Sequence, residues 1–285
     1  MKEFKNRTAV ITGAANGFGF EVAKECARRE MKVVMADIDG EDLKKASQTV
    51  KEMGVEVLTV EMDTSVYEEM ENLAKQTLET FRTVDLLFNN AGVVTSGSIW
   101  EMPLKDWEWT MGVNVWGMMY AMRVFVPIML KQQTPCHVVN VASVAGLLTT
   151  PGMPAYHTTK FATVAMTESA NYQLQMMNAN VKMSVYCPGF VQTDLHNCEK
   201  RRPERFKIDP DHPYYQSESY RAGLAKAEHV ITTGIPITSV AQSIFTAIEE
   251  EQFYILTHPQ YNPVIGLRVK TMLEGKNPSA ELFRK

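Results

Sequence analysis

Tyr156, Lys160 and Ser143 are the residues of this chain whose types and spacing suit proton chemistry: Lys160 follows Tyr156 by four residues and Ser143 precedes it by thirteen. A phenol with its ordinary pKa of ~10 is a poor base at neutral pH. An ammonium one helical turn away stands on the same face and favours the phenolate through space. A serine hydroxyl at the end of the preceding strand can hold a substrate oxygen within reach of both. The chain has 10 Tyr, so Tyr-x-x-x-Lys alone carries little. It gains weight because the same chain opens with the turn Gly13-Ala14-Ala15-Asn16-Gly17-Phe18-Gly19, a glycine-rich nucleotide-binding pattern. Proton handling beside a nucleotide points to redox chemistry.

Glycines at 13, 17 and 19 let the backbone turn tightly and approach a pyrophosphate. The helix that follows offers free N–H groups and the positive end of its dipole. Asp37, eighteen residues after Gly19 at the end of the second strand, can accept hydrogen bonds from adenosine ribose hydroxyls and repel a 2′-phosphate. Asn16 is neutral, so neither position supplies the cation that a 2′-phosphate requires, and NAD is favoured over NADP. A solvated strand-end charge beside Asp39 is the plainer reading of Asp37.

Short β-rich runs at 8–12, 32–36, 55–60, 84–88, 137–141, 181–187 and 253–257 alternate with helical stripes. The stripes include one long helix from about Asp106 to 130 and another from about Ala155 to Asn178. Strict alternation implies a parallel sheet covered on both faces by helices, in a single domain spanning 1–285. Residues 194–237 break the pattern with the polar run 199–205 and the tyrosines Tyr214, Tyr215 and Tyr220. So long an insert is expected to be a substrate-binding lid or a pair of short helices.

With 45% hydrophobic and 22% charged residues, 285 residues can bury a large core. A net charge of −4 gives no basic footprint for nucleic acid or anionic lipid. The N-terminus is charged where a signal peptide is apolar, and no run of ~18 uninterrupted apolar residues marks a membrane span, so a cytoplasmic protein acting on small molecules is expected. Four cysteines, Cys26, Cys136, Cys187 and Cys198, lack metal-ligand spacing and read as packing residues, with no metal site.

At this point the chain resembles the short-chain dehydrogenase/reductase family along nearly its whole length. The residues that carry the resemblance are Thr12-Gly13-x-x-x-Gly17-x-Gly19, Asp63, Asn89-Asn90-Ala91-Gly92, Asn114, Ser143, Tyr156-x-x-x-Lys160, and Pro188-Gly189 with Thr193. The resemblance implies a Rossmann-type doubly wound α/β sheet of seven strands with the active site at the carboxyl ends of the strands. It implies an Asn114, Ser143, Tyr156, Lys160 tetrad that transfers hydride between a nicotinamide cofactor and an alcohol or ketone, with Asn114 organising a proton path. Asp63 and Thr64 would then contact the adenine, Asn90, Ala91 and Gly92 its ribose, and Pro188, Gly189, Val191 and Thr193 the carboxamide. A homotetramer or homodimer is implied as well. The alternatives are Asn114 as a satisfied core amide and Thr193 as a plain helix N-cap. His157-Thr158-Thr159 departs from the small residues common in the family between the Tyr and the Lys.

The substrate pocket is expected from Val94, Leu148, Met153, Phe190, His196 and Tyr214, a mostly apolar set, with flexible methionines, 18 in the chain, available to adapt it. A hydroxysteroid, bile acid or terpenoid-like alcohol suits such a lining better than a sugar. His157 is expected to point away from the site. The competing expectations are an NADP-linked carbonyl reductase, with Lys32 or another cation in place of Asp37, and a non-catalytic dinucleotide sensor.

Overall fold

The computed structural model describes residues 1–283. Seven strands run parallel in the order β3-β2-β1-β4-β5-β6-β7. They are β1 (Thr8–Thr12), β2 (Lys32–Asp37), β3 (Val57–Glu61), β4 (Leu86–Asn89), β5 (Cys136–Val141), β6 (Val181–Tyr186) and the short β7 (Tyr254–Ile255). The helices between them are α1 (Gly17–Arg28), α2 (Gly40–Glu52), α3 (Tyr67–Phe81), α4 (Leu104–Met111), α5 (Met118–Gln132), α6 (Pro154–Met176), α7 (Pro213–Gln216), α8 (Glu218–Thr232), α9 (Val240–Glu249) and α10 (Asn262–Leu273). This is the expected doubly wound sheet.

The central strands read as unbroken apolar runs because both faces are covered. Alternate residues nevertheless feed different cores. Ile11, Val33 and Met35 pack with Val22 of α1 and Phe245 of α9. Val10, Val34 and Leu87 pack on the other face with Leu73 of α3 and Phe125 of α5. β1 pairs with β2 on one side and β4 on the other. The chain therefore leaves its carboxyl edge in opposite directions there, which opens the crevice where open α/β sheets bind ligands.

Two expectations need correction. The long helix expected from 106 to 130 is one unbroken run, Leu104–Gln132, but it is not α throughout: the six residues Gly112–Gly117 between α4 and α5 wind as a π-helix, an irregularity that often marks functional segments. Its two glycines let it pass close to the 63–65 loop: a Cβ on Gly117 would lie 3.0 Å from the Thr64 carbonyl oxygen, and one on Gly112 3.4 Å from Ser65. The combined stretch Leu104–Gln132 is long and apolar enough to cross a membrane, with mean hydropathy 1.4, yet Ala121, Phe125 and Met129 are fully buried in the core beside the sheet. The second correction is α8, a 15-residue helix within the 194–237 insert, whose stripe of Ala and Gly has too little hydrophobic contrast to be read by periodicity.

The insert is fastened to the body by Arg202. Its guanidinium donates to Asp106 at 2.7 Å and Glu199 at 2.6 Å, and lies 4.0 Å over the Trp109 ring. The Arg202 and Asp106 side chains are only 5% and 2% exposed, so removing one partner strands a buried charge. Arg202→Met is expected to lower unfolding free energy by about 3–5 kcal/mol in urea denaturation, while Asp106→Asn combined with Arg202→Met loses clearly less.

Candidate active site

A cavity of about 770 Å³ opens at the carboxyl edge of the sheet. It takes in most of the residues singled out by sequence: Gly13, Asn16, Gly17, Phe18, Asp37, Asp63, Thr64, Asn90, Ala91, Gly92, Ser143, Tyr156, Lys160, Pro188, Gly189, Val191 and Thr193, with Val94, Leu148, Met153 and Phe190 on its apolar side. Gly19 and Asn114 lie behind the wall, while His196 and Tyr214 do not line the cavity.

The glycine turn is built by close approach. Gly13 has φ +64°, and a Cβ there would come within 2.9 Å of the Ala91 Cα; a Cβ on Gly19 would overlap the Gly13 carbonyl oxygen. Asn90 clamps the turn by donating through Nδ2 to the Thr12 and Gly13 carbonyls at 3.0 Å each. Asn90 and Ala91 N–H both donate to Thr12 Oγ1. The α1 N-terminus carries no side-chain cap from Asn16 and no acidic residue in its first turn. Its orphan N–H groups and dipole are thus free for an anion.

Asp37 is buried at the end of β2 and accepts from Ala15 N at 2.9 Å and Asp39 N at 3.0 Å. Burial pushes its carboxyl above the ordinary range, against these two backbone donors. Lys32 sits at the opposite end of the same strand, 3.4 Å from Glu56, so it does not take Asp37's place. Asp63 accepts from Ser65 N at 2.9 Å and pairs with Arg205 at 2.7 Å.

Ser143, Tyr156 and Lys160 form one buried cluster. Ser143 Oγ accepts from Ala145 N at 3.1 Å and donates to the Pro188 carbonyl at 3.3 Å. Lys160 Nζ donates to the Val141 carbonyl at 3.0 Å and lies 5.6 Å from the Tyr156 ring centre. A Cβ on Gly92 would sit 3.4 Å from Asn114 Oδ1 and 3.7 Å from Lys160 Nζ, so both groups close on Gly92. Asn114 is fully satisfied: it accepts from Val93 N at 2.8 Å and donates to the Val93 carbonyl at 2.9 Å and Thr159 Oγ1 at 3.1 Å. Thr159 in turn donates to the Tyr156 carbonyl at 2.8 Å.

The expected lowering of the Tyr156 pKa by Lys160 is not what this cluster produces. Burial pushes the phenol up to about 12, with Ser143 the opposing influence, and pushes Lys160 down to about 8. Desolvation penalises the charged form of each and is the largest influence on both. Both groups are therefore driven toward neutrality.

Several contributors escaped the sequence reading. His157 does not point away: its ring bridges the Ala145 carbonyl at 2.9 Å and Thr150 N at 3.0 Å, fixing the loop that follows Ser143. His258 accepts from Gly189 N at 3.0 Å and meets the Phe190 carbonyl at 3.2 Å, bracing the loop after β6. Gly223, Lys226, Ala227 and Val230 put one face of α8 on the cavity, and Tyr261 and Phe283 bring the C-terminal segment to it. Tyr214, expected to touch substrate, instead hydrogen-bonds the Ser96 carbonyl and packs with Tyr215 and Tyr220 at ring separations of 5.1 and 5.2 Å. His196 meets the neighbouring Asn197 side chain at 3.1 Å. Met62 and Met153 line the cavity, but Met31, Met35 and Met70 are core filler. All four cysteines are free and buried, and no metal-binding group of His, Cys, Asp and Glu occurs among the described residues.

The sequence profile of the family described as short chain dehydrogenase matches residues 7–204. The chain belongs to that family. A relative from Lactiplantibacillus plantarum, named CLA biosynthesis dehydrogenase/reductase, is 48% identical over 99% of both chains. A 1-deoxy-11-beta-hydroxypentalenate dehydrogenase from Streptomyces exfoliatus is 34% identical over 67% of this chain and 70% of its own length. Among solved structures, a short chain dehydrogenase/reductase from Burkholderia phymatum in complex with NAD superposes with a TM-score of 0.95 at 40% identity, covering 98% of each chain. Family membership makes the chain an oxidoreductase.

The opposite displacements of Tyr156 and Lys160 can be read directly. In NMR titration of lysine-labelled protein, one lysine absent from Lys160→Met is expected to lose its proton near pH 8 rather than at its ordinary 10.5.

Proposed function

We propose that this chain is an NAD-dependent dehydrogenase/reductase that transfers a hydride between nicotinamide and a secondary alcohol or ketone on a bulky apolar molecule. The observation that carries the reading is the placement of Ser143, Tyr156 and Lys160 as one buried cluster in the same cavity as the uncapped α1 N-terminus and Asp37. The residues fit a dinucleotide: the α1 amides would hold the pyrophosphate, Asp37 the adenosine ribose, Asp63 and Thr64 the adenine, and Lys160 the second ribose. Pro188, Gly189, Val191 and Thr193 would receive the carboxamide. When bound, the dinucleotide supplies the hydride donor or acceptor.

Ser143 orients the reacting oxygen. Tyr156 gives its phenolic proton to a carbonyl oxygen in reduction and takes one from a hydroxyl in oxidation. With the phenol pushed up to about 12 by burial, Tyr156 holds its proton at neutral pH. Asn114, held by Val93 and Thr159, fixes the helix that carries Tyr156 and Lys160. The Asp37 carboxylate, held by the Ala15 and Asp39 amides, and the distant Lys32 support NAD over NADP.

The substrate side is apolar, with Val94, Leu148, Met153, Phe190 and Val230 on its wall. Lys226 also stands on that wall, and among the described residues no ion pair engages it. One relative is named for CLA biosynthesis and another for a hydroxypentalenate, a hydroxylated carboxylate by its name. Hydroxylated or oxo acids of fatty, terpenoid, sterol or bile-acid type are therefore the leading substrates. Exposed Trp116 on the π-helix, with Tyr172 and Met176 on α6, supports a homodimer or homotetramer built on these helices.

The direct test is reduced-nicotinamide absorbance with NAD and NADP in parallel against such acids, their neutral analogues and small polyols. Turnover of an apolar alcohol with NAD, reduced at least about a thousandfold in Tyr156→Phe, is the expected result. Preference for NADP overturns the role given to Asp37, and tight NAD binding without turnover points to a sensor. Lys226→Met is expected to raise KM about tenfold for acids while leaving kcat and the KM of neutral analogues unchanged.

A further inference from the structure

Arg201 has no place in the catalytic reading, yet its side chain is 15% exposed and lines the cavity on the dinucleotide side. It ends the 3-10 turn Leu195–Arg201. One guanidinium nitrogen donates to Asp194 Oδ2 at 2.7 Å and the other to the Asp194 carbonyl at 3.2 Å. A guanidinium has five N–H groups, so these two bonds leave donors free for a second acceptor. The neighbour of Asp194 is Thr193, whose Cβ lies 3.7 Å from where a Cβ on Gly17 would stand. Arg201 is thus tethered next to the α1 N-terminus. Its charge also reaches Asp37, whose carboxyl it pulls down against the larger effect of burial.

These contacts span the trough from the phosphate-binding turn to the ribose carboxylate. On one wall the uncapped α1 amides offer the positive end of a helix. On the other side Arg201 lines the cavity, and Asp194 behind it, which would repel an anion if it stood alone, is neutralised by Arg201, which still has donors to spare. Arginine's planar fork suits phosphate oxygens better than a lysine does.

We propose that Arg201 is a pyrophosphate ligand of the dinucleotide site, so that the 194–237 insert closes on the cofactor as well as on the substrate. This rests on the dinucleotide reading above. Arg205, paired with Asp63 at 2.7 Å, holds the same segment over the adenine end, and Arg202 anchors it between them.

Calorimetric binding of NAD, NADP, ADP-ribose and adenosine to the full chain tests the assignment. Arg201→Gln is expected to weaken NAD and ADP-ribose about ten- to a hundredfold while leaving adenosine unchanged. Arg201→Lys is expected to fall between the two. Asp194→Asn, which frees Arg201, is expected to keep or tighten NAD binding. Unchanged NAD affinity in Arg201→Gln overturns the proposal. So does an equal loss for adenosine, which would make Arg201 a structural tether, or a loss confined to NADP, which would make it a 2′-phosphate ligand. Wild-type protein that binds neither NAD nor ADP-ribose sinks the dinucleotide reading itself, whereas wild-type binding with an unaffected variant sinks only the role of Arg201.

Discussion

The approach of α1 to the end of β1 is the constraint on which the active edge of this protein depends. A Cβ on Gly19 would overlap the Gly13 carbonyl oxygen, and one on Gly13 would run into Asn90 and Ala91. Only with both positions bare can α1 start where β1 stops, with its unpaired N–H groups facing the crevice. The same closeness lets Asn90 and Thr12 tie the end of β4 to the glycine turn. The glycine turn, the loop after β4 and α6 opposite them then become one rigid frame.

Within that frame the cluster of Ser143, Tyr156 and Lys160 is governed by desolvation. Burial disfavours both the Tyr156 phenolate and the Lys160 ammonium, and the Lys160 bond to the Val141 carbonyl recovers part of what its removal from water costs. A proton is consequently easy to hold on the phenol and easy to lose from the lysine. Both displacements depend on the dry environment created by β5, α6 and the loop after Ser143. His157, bonded to Ala145 and Thr150, keeps that loop in place.

The insert shows how a segment with a weak hydrophobic pattern is still held. α8 presents small residues to the cavity, and Gly223 packs against Ser96, while three nearby arginines each meet a carboxylate: Arg201 with Asp194, Arg202 with Asp106, Arg205 with Asp63. One of those carboxylates, Asp63, lines the cavity. Charge pairing of this kind positions a flap without committing it to a large apolar interface.

What the sequence determined by itself was the part governed by local rules. The β/α alternation, the glycine turn and the Tyr156-x-x-x-Lys160 helix face follow from periodicity, backbone freedom and helical spacing, and all stand in the structure. Asp37 at the end of β2 was legible for the same reason. Three things were decided only by the tertiary structure: which way His157 turns, that Tyr214 buries its hydroxyl on the Ser96 carbonyl instead of facing substrate, and that burial rather than Lys160 sets the Tyr156 proton affinity. Each depends on what packs against a side chain from a distant part of the chain, and on how much water that packing removes. Arg201 lies in the same class: sequence shows a cation in a polar run, and only the fold brings it to the wall of the cavity.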